Sequence, residues 1–365
     1  MLAALLSLLT QLNYKPLHEA GYMGDGMTIA VIDAGFYRAN DPTVFPQNQI
    51  IGWYDLLQGE PNTTDTIDMF SNPQNYHGTA CLSTMLYHDS MFVGTAPHAN
   101  YILIRTEDYY QETREEVDRL IRGLQLADSL GVDVVTISLG YTLFDDTLTN
   151  YTYADMDGRG AAAQAVLNLA RHDILVCVAM GNDGNNSWHY LSTPADADSI
   201  ISVGAADING NPCSFSSYGP TADGRVKPEV IGWGGNCIIY NPSYRDPETG
   251  KEGILGYSNG TSYSTPQIAG LATCLRQALP HLSAMEIRQI IIESASFYPQ
   301  WTDQLGYGIP DFGYAYNGTK FNDIEQLIGS TDNSPKAAKI YLSSSYGIVI
   351  KKGGEMFTPL GIKIN

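Results

Sequence analysis

Four residues of this chain have types and neighbours suited to acyl transfer. Ser262, in Asn259-Gly260-Thr261-Ser262-Tyr263-Ser264-Thr265-Pro266, offers a hydroxyl nucleophile, and His77, opening HGTACLSTM, offers an imidazole to take its proton. Asp33, closing the apolar run MTIAVID, offers a carboxylate to orient that imidazole, and Asn182, in the Gly-Asn-Asp-Gly turn after VCVAM, offers an amide donor. Splitting an amide needs all four roles: a hydroxyl attacks poorly until a base takes its proton, and the oxyanion that forms must be met by donors. Singly, each residue has an ordinary reading. An aspartate at a strand end is as often a cap or turn residue. A histidine can cap a helix or sit on the surface, which is the better reading for six of the seven histidines. Gly-Thr-Ser before a helix can be simple capping, and Asn-Gly turns are common. Pro266, four residues beyond the serine and inside a predicted helix, needs a reason, because proline there costs stability.

The elements that must position these residues alternate. Nearly continuous apolar runs at Met27 to Asp33, Tyr101 to Arg105, Val132 to Leu139, Ile174 to Met180 and Ile200 to Ala205 read as strands covered on both faces. Between them, helical patterns run near His77 to Tyr87, Thr113 to Leu130 and Arg159 to Arg171, followed by Tyr263 to Ala278 and by Ser283 to Ser294, whose N-cap serine faces Glu286. Strand and helix in alternation predict an α/β fold of three layers with a mostly parallel central sheet. In that arrangement Asp33 stands at the carboxyl end of a strand, where open α/β sheets bind ligands.

Composition sets the outer bounds. The 365 residues carry a formal charge of −19, which makes nucleic acid and anionic membranes poor partners. No run of about eighteen apolar residues suggests a transmembrane helix. The apolar opening Met1 to Thr10 lacks a basic leader and a small-residue cleavage site, so it reads as a packed helix. Five scattered cysteines fit neither a disulfide scaffold nor a zinc site, although a bridge from Cys213 to Cys237 would leave the rest as thiols. Gly21 to Gly26 mimics a dinucleotide loop but precedes its strand, and Asp311-Phe312-Gly313 lacks every other kinase block. Around Ser262 the G-x-S-x-G pattern of α/β-hydrolases fails at Ser264, which leaves an esterase as the weaker enzyme class.

The four segments and their order resemble the subtilase family. VIDAGF is similar to its aspartate block, HGTACLS to its histidine block and GTSYSTP to its serine block; VGTAPHANYILIRT, VDVVTISLG and SIISVGAADINGNPCSFSSYGPTADGRVKPEV resemble intervening segments, so the likeness runs from about Leu17 to Gly313. The residue order and the asparagine donor are known from subtilisin itself. The resemblance implies a serine endopeptidase, with Asp33, His77 and Ser262 as triad, Asn182 at the oxyanion, and Ser138, Leu139, Gly140 and Gly181 binding an extended polypeptide substrate. No cofactor is implied for the chemistry. Structural calcium is common in the family, and Asp65, Asp68 and the acidic loops offer oxygens, without EF-hand spacing and with no ligand assigned.

Departures from the family pattern carry expectations of their own. Ala80 stands where many members have a second histidine, and Cys81 resembles the free cysteine of the proteinase K-like and thermitase-like branches while also suiting a small buried position. Members are usually made with a long propeptide; here a short helix precedes Asp33, as in a mature or truncated form or in a chain whose folding is assisted differently. The loop Asn185 to Thr193, with Trp188, His189 and Tyr190, would wall the primary specificity pocket. Glu107, Asp108, Glu112, Glu115 and Glu116 would lie near more distant substrate residues and favour basic ones, or form a solvated acidic face. The expected organisation is a helical lead-in at 1–26, a peptidase domain at 27–316 and a linker with a small β-rich tail at 317–365, acting as a monomer. The last thirty residues resemble the C-terminal β tails of secreted Bacteroidetes-type proteins, which implies a periplasmic, cell-surface or secreted location. The rival expectation is a catalytically idle subtilase-like scaffold anchored by that tail.

Overall fold

The computed structural model describes residues 11–57, 67–89, 92–245, 247 and 252–318, with four short strands between 339 and 364. The helix expected over Met1 to Thr10 and the linker expected over Gly329 to Pro335 lie outside the described residues. By contacts the chain divides into Met1–Gly313 and Tyr314–Asn365.

In the first unit, β1 (Thr28–Asp33), β2 (Ile50–Asp55), β3 (Asn100–Arg105), β4 (Val134–Ile137), β5 (Leu175–Ala179), β6 (Ile201–Ala206) and β7 (Val230–Trp233) form one seven-stranded sheet in the order β2-β3-β1-β4-β5-β6-β7. Every neighbouring pair is parallel, so each connection crosses a face of the sheet. Over one face lie α4 (Arg114–Ser129) and α5 (Ala161–Arg171), whose Leu120, Leu124, Val166 and Leu169 pack on Ile104, Val135, Val176 and Val178 in one apolar cluster. Two further helices cover the other face. They are α3 (His77–Leu86) and the long α6 (Thr261–Ala278), which touches β4 to β7 and is buried from Thr261 to Leu275. Shorter helices α1 (Lys15–Glu19) and α2 (Ile67–Ser71) precede these, and α7 (Ala284–Glu293) follows with Ser283 and Glu286 closing the expected capping box.

Two sheet members, β2 and β7, carry no sequence prediction, and neither does the antiparallel hairpin of β8 (Cys237–Arg245) and β9 (Glu252–Ser258). Edge strand β2 is mixed in burial, with Ile51 and Trp53 exposed, and β7 has four residues, one of them glycine; neither shows the unbroken apolar run of a central strand. The conceivable Cys213–Cys237 bridge is not formed: all five cysteines are free, and the Cys237 sulfur is buried 3.2 Å from Gln267 Nε2. In the second unit β10 (Lys339–Ser343), β11 (Gly347–Lys352), β12 (Glu355–Phe357) and β13 (Lys363–Ile364) form an antiparallel sheet in that order. Among the described residues no helix is long and apolar enough to cross a membrane.

Candidate active site

Winding outward from β1 reverses direction between β3 and β4, which opens a crevice at the carboxyl ends of the central strands. Asp33 ends β1, Ser138 follows β4, Gly181 and Asn182 follow β5, His77 opens α3, and Ser262 lies in the first turn of α6. Six of the predicted residues thus meet at one rim although they span more than two hundred positions of chain.

Asp33 is fully buried, and its Oδ1 lies 2.7 Å from His77 Nδ1 and accepts the Ala34 N–H at the same distance. Asp33 Oδ2 is buried without a partner among the described residues. Burial works against the imidazolium, but its neighbours Asp33 and Cys81 together outweigh it and hold His77 well above the ordinary histidine value. The helix and strand approach this closely because residue 78 is glycine: a Cβ there would sit 2.6 Å from Gly35 O and 2.9 Å from Asp33 Cβ. The backbone bond from Gly78 N to Gly35 O at 3.0 Å fixes the contact.

Around Ser262 the fold answers the question of Pro266. In a regular helix the N–H of residue 266 would bond the carbonyl of Ser262, and proline has none to give. Two side chains replace it: Ser138 Oγ donates to Ser262 O at 2.9 Å, and the buried Cys81 thiol donates to it at 3.3 Å. Burial pushes the Cys81 thiol up, which keeps it an S–H donor. Ser262 Oγ donates to Ser138 O at 3.4 Å; it makes no hydrogen bond with His77.

Asn182 is pinned from one end. Its Oδ1 accepts both the Thr261 N–H at 2.9 Å and the Thr261 hydroxyl at 3.1 Å, leaving Nδ2 as an unengaged donor among the described residues. Gly181 turns the chain into this position at φ +105°, a conformation side chains disfavour, and a Cβ there would meet Ser217 Oγ at 2.8 Å. Among the described residues Leu139 and Gly140 make no hydrogen bond to other backbone groups, and Tyr141 beyond them exchanges backbone bonds with Thr193. The loop expected to wall a pocket is built of stacked rings, His189 on Tyr218 at 4.2 Å and Tyr190 on Tyr153 at 3.9 Å, while Trp188 Nε1 donates to Leu191 O at 3.1 Å. Sequence reasoning missed Thr261 and Tyr141. The position of Thr261 beside the serine was the available signal, but its partner Asn182 is far away in sequence.

The one group of three His, Cys, Asp or Glu ligands found among the described residues is Asp33, His77 and Cys81, with candidate donor atoms within 4.8 Å of one another. One carboxylate with a nitrogen and a sulfur does not suit calcium, which takes six to eight oxygens. Asp65 and the side chain of Asp68 lie outside the described residues.

A doubly covered parallel sheet with aspartate, histidine and serine gathered at its carboxyl edge defines an α/β protein of serine-hydrolase architecture. The family model described as "Subtilase family" matches residues 24–308, and the chain belongs to that family. It is 28% identical over 302 residues to "Serine protease AprX" of Bacillus subtilis, covering 77% of this chain and 63% of that protein. To "Subtilisin BL" of Lederbergia lenta it is also 28% identical, covering 76% of this chain and 87% of that one. Among solved structures, the self-cleaved protease domain of PatA matches with a TM-score of 0.59 at 22% identity, covering 82% of this chain and 98% of that chain. The MycP3 protease of the type VII (ESX-3) secretion system matches with a TM-score of 0.62 at 21% identity, covering 85% and 87%. These structural likenesses establish the fold.

Proposed function

We propose that the chain is a serine endopeptidase that cleaves polypeptides through an acyl-enzyme. Ser262 Oγ attacks the scissile carbonyl carbon while its proton passes to His77 Nε2; Asp33 keeps Nδ1 protonated and steadies the imidazolium. The Asn182 Nδ2 and Ser262 backbone N–H groups meet the oxyanion. Collapse expels the amine, which takes the proton from His77, and water then repeats the sequence to release the acid and restore the serine. Leu139 and Gly140 take the substrate as an added strand beside Ser138, which accepts many sequences because backbone atoms make the bonds. Every step is carried by protein groups. The single observation that carries this reading is the 2.7 Å pairing of His77 Nδ1 with fully buried Asp33 at the rim where Ser262 stands.

For action outside the cytoplasm, the support is the likeness of the last thirty residues to the tails of secreted Bacteroidetes-type proteins; fractionation of the native host would locate the chain.

The decisive experiment offers quenched fluorescent casein to the wild type and to Ser262→Ala, with a serine-directed fluorophosphonate whose label is mapped by peptide mass. Cleavage lost by several orders of magnitude in the variant, with label on Ser262, supports the peptidase. A folded wild type that neither cleaves nor labels would leave the idle scaffold as the better description.

A further inference from the structure

A cavity of about 460 Å³ opens beside His77 and runs along Leu139 and Gly140. Carboxyl side chains of Glu107, Asp108, Glu112, Glu116 and Asp145 line it, and none of its lining residues is lysine or arginine. Two of these carboxyls are deeply buried, Glu107 at 8% and Glu116 at 1% exposure. Glu116 has its own partners: the N–H groups of Asp108 at 2.9 Å and Thr113 at 3.0 Å, and the Arg119 guanidinium at 3.5 Å. Glu107 has no such set. Its Oε1 accepts both hydroxyls that reach it, from Tyr141 at 2.7 Å and Thr106 at 2.8 Å, while Oε2 accepts no hydrogen bond among the described residues. The nearby guanidinium of Arg119 is committed to Glu115, Glu116 and Thr106 O, and that of Arg105 to Asp55.

A buried carboxylate without a counter-ion is costly, so such a carboxyl keeps its proton until a cation reaches it. Glu107 lines the same cavity as Leu139 and Gly140, so a cation carried by a chain laid along those residues would enter beside it. We propose that this cavity is a subsite for an arginine or lysine side chain of the polypeptide substrate, near the scissile bond, with Glu107 as the specificity-determining counter-ion. The proposal rests on the peptidase reading above. The surrounding residues suit such a guest. Glu112 and Asp145 hold the rim through paired contacts, Glu112 N–H to Asp145 Oδ2 at 3.1 Å and Asp145 N–H to Glu112 O at 2.9 Å. The exposed rings of Tyr109 and Tyr110 offer apolar and π surface to the stem and head of a long cationic side chain. Burial, and then the charge of Glu116, push the Glu107 carboxyl up to about 8, so an arriving cation displaces a proton and gains a charge-assisted bond.

The test uses the full chain and quenched peptides in which each position flanking the scissile bond is in turn arginine or norleucine. Wild type, Glu107→Gln and Asp118→Asn are compared; Asp118, exposed and outside the cavity lining, serves as the charge control. At one position kcat/KM should favour arginine by about tenfold or more in wild type and in Asp118→Asn, and the ratio should fall to near unity in Glu107→Gln, chiefly through KM. Glu112→Gln, at the exposed rim, should lower the ratio by a smaller factor and covers the case in which Glu107→Gln fails to fold. Absence of an arginine preference at every position would overturn the subsite. So would its survival in both Gln variants, or a preference for glutamine, which would make Glu107 a neutral hydrogen-bond donor.

A second arm needs no turnover: calorimetric binding of the same peptides to Ser262→Ala and to Ser262→Ala with Glu107→Gln. Arginine-selective binding lost in the double variant supports the subsite even if wild type neither cleaves nor labels, in which case only the peptidase reading fails. Cleavage without selectivity removes the subsite and leaves the peptidase standing.

Discussion

His77 Nδ1 faces the Asp33 carboxylate, with the Cys81 sulfur 3.9 Å from the same atom. Burial disfavours the imidazolium, but Asp33 at 2.7 Å and Cys81 together favour it more, so the base holds its proton at a higher pH than a free histidine would. A general base works only when neutral. The sign follows: activity should fall as pH drops through the raised value, placing the acid limb of kcat/KM above the ordinary 6.5. A pH–rate profile on an uncharged substrate checks this, and an acid limb at or below the ordinary value would mean that burial outweighs Asp33 and Cys81. The neighbouring serine shows a different economy of atoms. Pro266 withholds a helical donor from the Ser262 carbonyl, and Ser138 and Cys81 supply two from other elements, so the backbone behind the nucleophile is held by strand β4 and helix α3 as well as by its own helix.

Elements meet at this site with little clearance. The first turn of α3 comes so close to the end of β1 that residue 78 has room for no side chain. Gly78→Ala should therefore push the turn outward and separate His77 from Asp33; a displacement near 1 Å corresponds to about a hundredfold in kcat/KM. The acid limb should move down in the same variant, because the carboxylate supports the imidazolium less. Unchanged kinetics and an unchanged limb would show that the turn can yield without disturbing the pair. The central strands and their helices were legible because burial on both faces demands unbroken apolar runs, and helices that lie on a sheet carry an apolar stripe. The hairpin strand β8 and the edge strand β2 escaped because their residues are mixed in exposure, and β7 because its buried run is only four residues long with a glycine inside it; all gain strand geometry from neighbours that are distant in sequence.

For the whole molecule, the amino ends of β6 and β7 are tied by charge where the opposite ends carry the site. Lys227, 1% exposed, reaches both oxygens of Glu229 at 2.9 and 3.1 Å; Arg288 from α7 adds a contact at 2.8 Å and Ser202 donates twice to the same carboxylate. Lys227→Met should remove about 3 kcal/mol of stability by leaving Glu229 short of a partner, read as a lower urea midpoint with little change in kcat per labelled active site. A midpoint within error of wild type would mean that Arg288 and Ser202 suffice. The sequence by itself determined the layered α/β plan and the run of strands through the centre, because apolar periodicity is written in neighbouring residues; Asp33, His77, Asn182 and Ser262 stood out only through the resemblance of their segments, in that order, to the subtilase blocks. Tertiary structure alone decided which atoms meet. Thr261 pinning the amide of Asn182, Ser138 and Cys81 holding the Ser262 carbonyl, and Glu107 buried beside His77 without a cation all join residues far apart in the chain, and only the crossing connections of a parallel sheet bring such residues to one edge.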